Sequence, residues 1–233
     1  NQTGSRALVG MEAPAVTVET HLPGGLPGFT LVGMPETAVR EARDRVKSAI
    51  QNCGFDYPQG RVVVNLAPAE LVKEGARFDL PIAVSILRAT RQLPAASPGS
   101  FGADLEFIGE LGLYGEVRAT RGCLCAALTL NHEGPPGRRL VAPAANAPEL
   151  GIGPRARLLL ADHLSTVAAF LRAPESAPLP SPPAAAPDPL ASGPDLDDVL
   201  GQHAAKRALT IAAAGGHHLL MVGPPGTGKT MLA

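Results

Sequence analysis

The run Gly223-Pro224-Pro225-Gly226-Thr227-Gly228-Lys229-Thr230 carries the residue types of a phosphate-binding loop at the spacing such a loop requires. Its glycines allow a turn tight enough for successive amides to face one oxyanion, and a helix starting at the loop's end adds a favourable dipole. Pro224 and Pro225 have no N–H, so the donors must be the amides of Gly226, Thr227, Gly228, Lys229 and Thr230. In this chemistry the Lys229 ammonium reaches the β- and γ-phosphates, and the Thr230 hydroxyl holds Mg2+ through the nucleotide. ATP and Mg2+ are the expected cofactors. A chance Gly/Pro-rich loop would share the composition but not the setting, directly after an apolar segment. That segment, His218 to Val222, reads as a short buried strand. A Walker B carboxylate, a water-positioning residue and an arginine finger are expected beyond Ala233, so turnover by this stretch alone is not expected.

Arg40, Arg43 and Lys47 form a second candidate site. At 100° per residue they fall on one flank of a helix, beside its apolar face. They could grip phosphate backbones. A solvated helix face with a Glu41–Arg45 pair is the plainer reading and carries more weight. His217 and His218 are adjacent and on a strand would face opposite ways, so a shared metal is not expected. Cys53, Cys123 and Cys125 are too few and badly spaced for a disulfide framework or a four-ligand zinc site.

The elements that must hold these residues can be read from periodicity. The chain has 233 residues, 45% of them hydrophobic, a net charge of −1, no Trp and two Tyr. That is room for one domain and part of another, without a bulk electrostatic footprint for nucleic acid or a supply of stacking aromatics. No apolar run is long enough to span a bilayer and no signal segment is visible, so a cytoplasmic protein with no membrane partner is expected. Residues 173–194, rich in Pro and Ala, read as an extended linker. Before it, 15–20, 29–33, 61–66, 139–142 and 157–161 read as strands. Helices are expected from Glu36 to a stop at Gly54, and over 78–93, 122–131, a short stretch near Asn146, and 165–172. Residues 105–110 and 116–120 read as the arms of one hairpin. Alternating strands and helices predict an α/β domain over 5–172. Residues 195–233 read as the truncated start of a P-loop α/β domain, with a helix running through Ala214.

Several motifs in order carry a family resemblance: EARDRVKSAI at 41–50, VNLAPAELVKEGARFDLPIA at 64–83, IGELGLYGEVR at 108–118, DVLGQHAAKRAL at 198–209, and the GPPGTGKT loop. Together they resemble the Mg-chelatase-like AAA+ ATPases of the ComM competence type, from about Ser5 to Ala233. The resemblance implies a Lon-protease-like (α+β) first domain and an AAA+ module, the chain being an N-terminal piece of such a protein. It also implies a hexameric ring of identical subunits acting as a helicase on branched or single-stranded DNA in natural transformation. It places Gly201 and Gln202 on the adenine side of the nucleotide. Asn1 to Ser5 departs from the family's usual start. Aligning the Lon-like landmarks puts Arg77 near the peptidase serine and Leu124 near the peptidase lysine, so proteolysis by a Ser–Lys dyad is not expected. Two rival readings remain: a magnesium-chelatase motor subunit, and a non-catalytic module that binds DNA or protein.

Overall fold

In the computed structural model, residues 2–33, 41–97, 99–184 and 195–232 are described. They form two compact units, 1–185 and 186–233.

The first unit is built on a seven-stranded sheet. Its strands are β1 (Gln2–Arg6), β2 (Ala15–His21), β3 (Gly28–Val32), β4 (Arg61–Ala67), β5 (Leu105–Phe107), β8 (Arg139–Pro143) and β9 (Leu158–Ala161). Their order across the sheet is β3-β4-β2-β1-β5-β8-β9. Only β2 runs against its neighbours β1 and β4; every other adjacent pair is parallel. Helices α1 (Ala42–Asn52), α2 (Asp79–Ala89), α3 (Cys123–Glu133), α4 (Ala147–Leu150) and α5 (Leu164–Arg172) complete the unit. The α/β class expected from the alternation of periods is the one observed.

Strand sequence shows which faces are covered. Along β2 and β4 the burial alternates, with Val16, Val18, Val62, Val64 and Leu66 inward. In β8 and β9 both faces are buried: Val141, Leu159 and Ala161 join the core under α1, α2 and α5, whereas Leu140, Ala142, Leu158 and Leu160 join a second core under α3 and α4. A strand covered on both sides must be apolar throughout, which is why these segments read as continuous hydrophobic runs.

Three sequence expectations for the first unit are revised. Strand β1 was not expected, because QTGSR contains no apolar residue and so has no period-2 signal. Its polar side chains are buried with partners instead: Ser5 Oγ donates to the Phe107 carbonyl at 2.9 Å and Arg6 Nε to Glu106 Oε2 at 2.5 Å. The expected hairpin is shorter than read. Residues 105–107 belong to the main sheet, and only β6 (Glu110–Leu111) pairs with β7 (Val117–Arg118). Gly109 separates the two: its N–H donates to the Arg77 carbonyl at 2.9 Å, and a Cβ there would sit 2.8 Å from Val117. The stretch after α5 is not spacer from its start. Leu179 is buried in the main core, and Leu160 N donates to the Pro180 carbonyl at 2.7 Å, covering the outer edge of β9.

Other expectations agree. Helix α1 stops where Gly54 adopts φ +77°, with Phe55 N donating to the Ile50 carbonyl. The expected start of that helix before residue 41, Val39 and Arg40 included, falls outside the described residues. Among the described residues no helix is long and apolar enough to cross a membrane.

The second unit contains α6 (His203–Gly215) and α7 (Lys229–Leu232). Gly216, at φ +62°, ends α6. Residues 218–222 do not form the expected buried strand: Leu220 is 86% and Val222 87% exposed. A strand needs a neighbour for its ladder bonds, and none lies beside this segment among the described residues.

Candidate functional site

Between Met221 and α7 the chain has no regular structure, and Gly226 and Gly228 both take φ +81°. An L-residue is disfavoured at such angles, so these two glycines are what allows the loop to curl. The curl brings the Lys229 ammonium back over its own loop. Nζ donates to the carbonyls of Gly223 at 2.7 Å and Pro224 at 2.6 Å, and lies 3.3 Å from Thr227 Oγ1. Thr227 Oγ1 itself donates to the Pro224 carbonyl at 2.9 Å.

The amides of Gly226, Thr227, Gly228, Lys229 and Thr230 donate to no protein acceptor among the described residues. An exposed row of unpaired donors next to an ammonium is the chemical complement of a polyphosphate. Thr230 stands at the start of α7, and the loop residues thus fit a nucleotide with its Mg2+. No cluster of three or more His, Cys, Asp or Glu among the described residues could hold a metal by protein ligands alone. A metal here would rely on the Thr230 hydroxyl together with phosphate oxygens.

Gln202 is brought to this loop by the turn before α6. Its backbone is left-handed at φ +50°, and its Nε2 donates to the Thr227 carbonyl at 3.2 Å. Gly201 precedes it at φ +70°. A cleft of about 490 Å³, which Gly201 does not line, is lined by Gln202, Ala205, Ala208, Leu219, Met221 and Lys229 among others. Its apolar wall suits the flat face of a base, and its polar end is the loop.

On the first unit, Arg43 and Lys47 of α1 line one small pocket of about 110 Å³ together with Gln51, Tyr57 and Gln59. Lys47 Nζ sits 5.8 Å from the Tyr57 ring centroid, and Arg43 makes a loose 3.9 Å contact to Asp44. Arg40 lies outside the described residues. The Glu41–Arg45 pair exists at 3.8 Å, but Arg45 turns mainly inward, with Nε 2.6 Å from Asp79 Oδ2. Sequence reading missed Tyr57 and Gln59, which come from the turn before β4. Nothing in their local pattern links them to a helix that ends several residues earlier.

His217 and His218 sit in the exposed segment after α6, not on a strand. Cys123 is buried, and burial pushes its thiol up to about 11, so it is neutral and inert at physiological pH.

Comparison with known proteins bears on both units. Residues 18–146 match the family model described as subunit ChlI of Mg-chelatase, and residues 195–233 match that of magnesium chelatase, subunit ChlI. The chain is 49% identical over 232 residues to the competence protein ComM of Haemophilus influenzae. It is 47% identical over 235 residues to the uncharacterized protein YifB of Salmonella typhimurium, and 47% identical over 229 residues to YifB of Escherichia coli. Each alignment covers 98% of this chain but 44% of the relative, so the chain spans a little under half the length of the curated relatives it matches.

Proposed function

The chain belongs to the Mg-chelatase ChlI family, and on that premise we propose that it binds ATP with Mg2+ as part of an AAA+ motor of the competence type. The observation that carries this reading is the P-loop: five amides without protein acceptors among the described residues, beside the Lys229 ammonium. On binding, Lys229 would exchange its loop carbonyls for β- and γ-phosphate oxygens, and Thr230 would complete the Mg2+ shell. Bound ATP supplies the free energy that such a motor converts to movement. Gly201 and Gln202 would sit on the adenine side, against the apolar wall of the cleft.

In this proposal six copies form a ring, the working site lies in the cytoplasm, and the substrate is branched or single-stranded DNA. The support is the 49% identity to a protein named for competence, together with the exposed Arg43 and Lys47, which could contact phosphate backbones. The first unit, proposed as a Lon-like domain over 5–172, would serve as a non-catalytic platform.

The family descriptions name Mg-chelatase, which supports a second reading, a motor for inserting Mg2+ into a porphyrin. A four-way-junction assay with ATP, run on the full-length protein of which this chain is the N-terminal part in this proposal, separates the two. Branch migration that depends on hydrolysis is the expected result. ATP turnover without any movement of the junction would overturn the DNA reading.

A further inference from the structure

The pocket beside α1 gathers charge of one sign. Arg43 and Lys47 stand four residues apart on that helix, so their side chains share a face, and Gln51 continues the stripe one turn further on. Like charges at that spacing repel and weaken a helix. Neither cation is closely neutralised. Lys47 makes no ion pair among the described residues; its ammonium rests 5.8 Å from the Tyr57 ring centroid. Arg43 Nε is 3.9 Å from Asp44 Oδ1, but the two side chains are 57% and 87% exposed, and a pair so open to water is weak.

The facing walls come from the turn at 57–60 and from residues 27–29 at the start of β3. No carboxylate lines the pocket. Its charged side chains are the two cations, and its other polar ones are Gln51, Gln59 and Tyr57, all able to donate. Gln59 Nε2 uses one N–H on the Tyr57 carbonyl at 3.4 Å and keeps the other. Arg43, Lys47, Gln51 and Gln59 are exposed, so a group entering from solvent can reach their donors. Size limits what enters. At about 110 Å³ the pocket has less than a quarter of the volume of the 490 Å³ cleft beside the Gly223–Thr230 loop. That is room for one small anion, not for a base with its sugar.

We infer that this pocket holds the terminal phosphomonoester of a DNA strand, with the dianion between Arg43 and Lys47 and the amides of Gln51 and Gln59 donating to its remaining oxygens. Charge selects the ligand. A carboxylate or a phosphodiester brings one negative charge and balances one cation, whereas a phosphomonoester brings close to two. The Arg43 guanidinium offers paired N–H groups to two oxygens, and Lys47 supplies a point charge. Shape agrees: a diester must let its chain run on past both sides of the charge, while a monoester enters a small pocket tip first. A strand end as the occupant rests on the DNA reading above and goes beyond it, because it assigns a discrete site to one phosphate.

The test titrates methyl phosphate and, at equal ionic strength, dimethyl phosphate into the isotope-labelled whole chain, following the side-chain amides of Gln51 and Gln59 by NMR. Methyl phosphate should move them saturably and bind at least about tenfold more tightly than the diester, the scale of one added charge-assisted contact. Arg43→Gln and Lys47→Gln should each weaken methyl phosphate by a similar factor. Both positions are exposed and Gln is a good helix former, so the fold should be kept. Equal binding of the two esters, or no movement of these amides, would overturn the inference. Single-stranded oligonucleotides phosphorylated at one end, at the other or at neither then identify the source. A gain for a phosphorylated form that Lys47→Gln removes is expected. No gain at either end, or tighter binding of a phosphoserine peptide, would overturn the assignment to a strand end. If no strand binds at all, the DNA reading fails, and the ester comparison still decides the pocket.

Discussion

Gln202 Nε2 donates to the carbonyl oxygen of Thr227 at 3.2 Å, tying the residue that precedes α6 to the middle of the Gly223–Thr230 loop. It also lines the apolar cleft, and the proposed ATP site would give it a role toward the base as well as the loop. Gln202→Ala is expected to weaken ATP binding about three- to tenfold, as for one neutral hydrogen bond, while affinity for tripolyphosphate stays near wild type. Competition titrations with the two ligands measure this. Equal losses for both would confine Gln202 to shaping the loop and remove it from the adenine side.

The pocket shared by Arg43 and Lys47 predicts an electrostatic effect on DNA. Changing both to Glu should weaken binding of forked DNA across sequences and make the log–log salt dependence shallower by about 1.5, corresponding to two phosphate contacts. Filter binding between 50 and 200 mM salt would read it. An unchanged slope would return these residues to an ordinary solvated helix face.

Asp79 makes a pH prediction. It accepts from Arg45 Nε at 2.6 Å and Nη2 at 3.1 Å, and from Leu111 N at 3.2 Å. Burial nonetheless raises its pKa from 3.8 to about 6, the Arg45 bond opposing the shift. Between those two values the folded chain holds more protons than the unfolded one, so this group's contribution is greatest below pH 4 and falls as pH rises through 6. The stability advantage of wild type over Asp79→Asn should therefore shrink from pH 4 to pH 6 in urea titrations. An advantage that grows over that window would mean the ion pair outweighs desolvation.

Leu179 tests where the first unit ends. It is 5% exposed in the main core, so Leu179→Ala should cost about 2–3 kcal/mol of unfolding free energy in denaturant. A cost below about 0.5 kcal/mol would be that of a surface residue and would make the segment a free spacer after all.

Much of this was legible in the sequence, for physical reasons that differ by element. Segments covered on one face, such as β2 and β4, announce themselves by alternation, and α1 by its stripe Ala42, Val46, Ala49, Ile50 ending at Gly54. Polar β1 was invisible because its burial depends on partners about a hundred residues away, Glu106 and Phe107. Residues 218–222 misled for the opposite reason: an apolar run signals a strand only where another strand lies beside it. In the loop, residue type alone singled out Lys229 and its glycines as candidates. The bond from Gln202 and the pocket joining Lys47 to Tyr57 depend on chain reversals that no local period encodes. Arg77 stood out in the sequence for where it aligned, whereas its unpartnered buried Nη1 emerged only from packing.

The most direct test of the central claim is equilibrium binding of a fluorescent ATP analogue with Mg2+ to the protein and to Lys229→Ala. Among the described residues the Lys229 ammonium hydrogen-bonds only within its own loop, so the variant should keep its circular dichroism and melting temperature. The account predicts saturable binding by wild type and a loss of about a hundredfold in the variant, the scale of two charge-assisted hydrogen bonds to phosphate. Absence of saturable binding by wild type, or equal affinity in the variant, would contradict it.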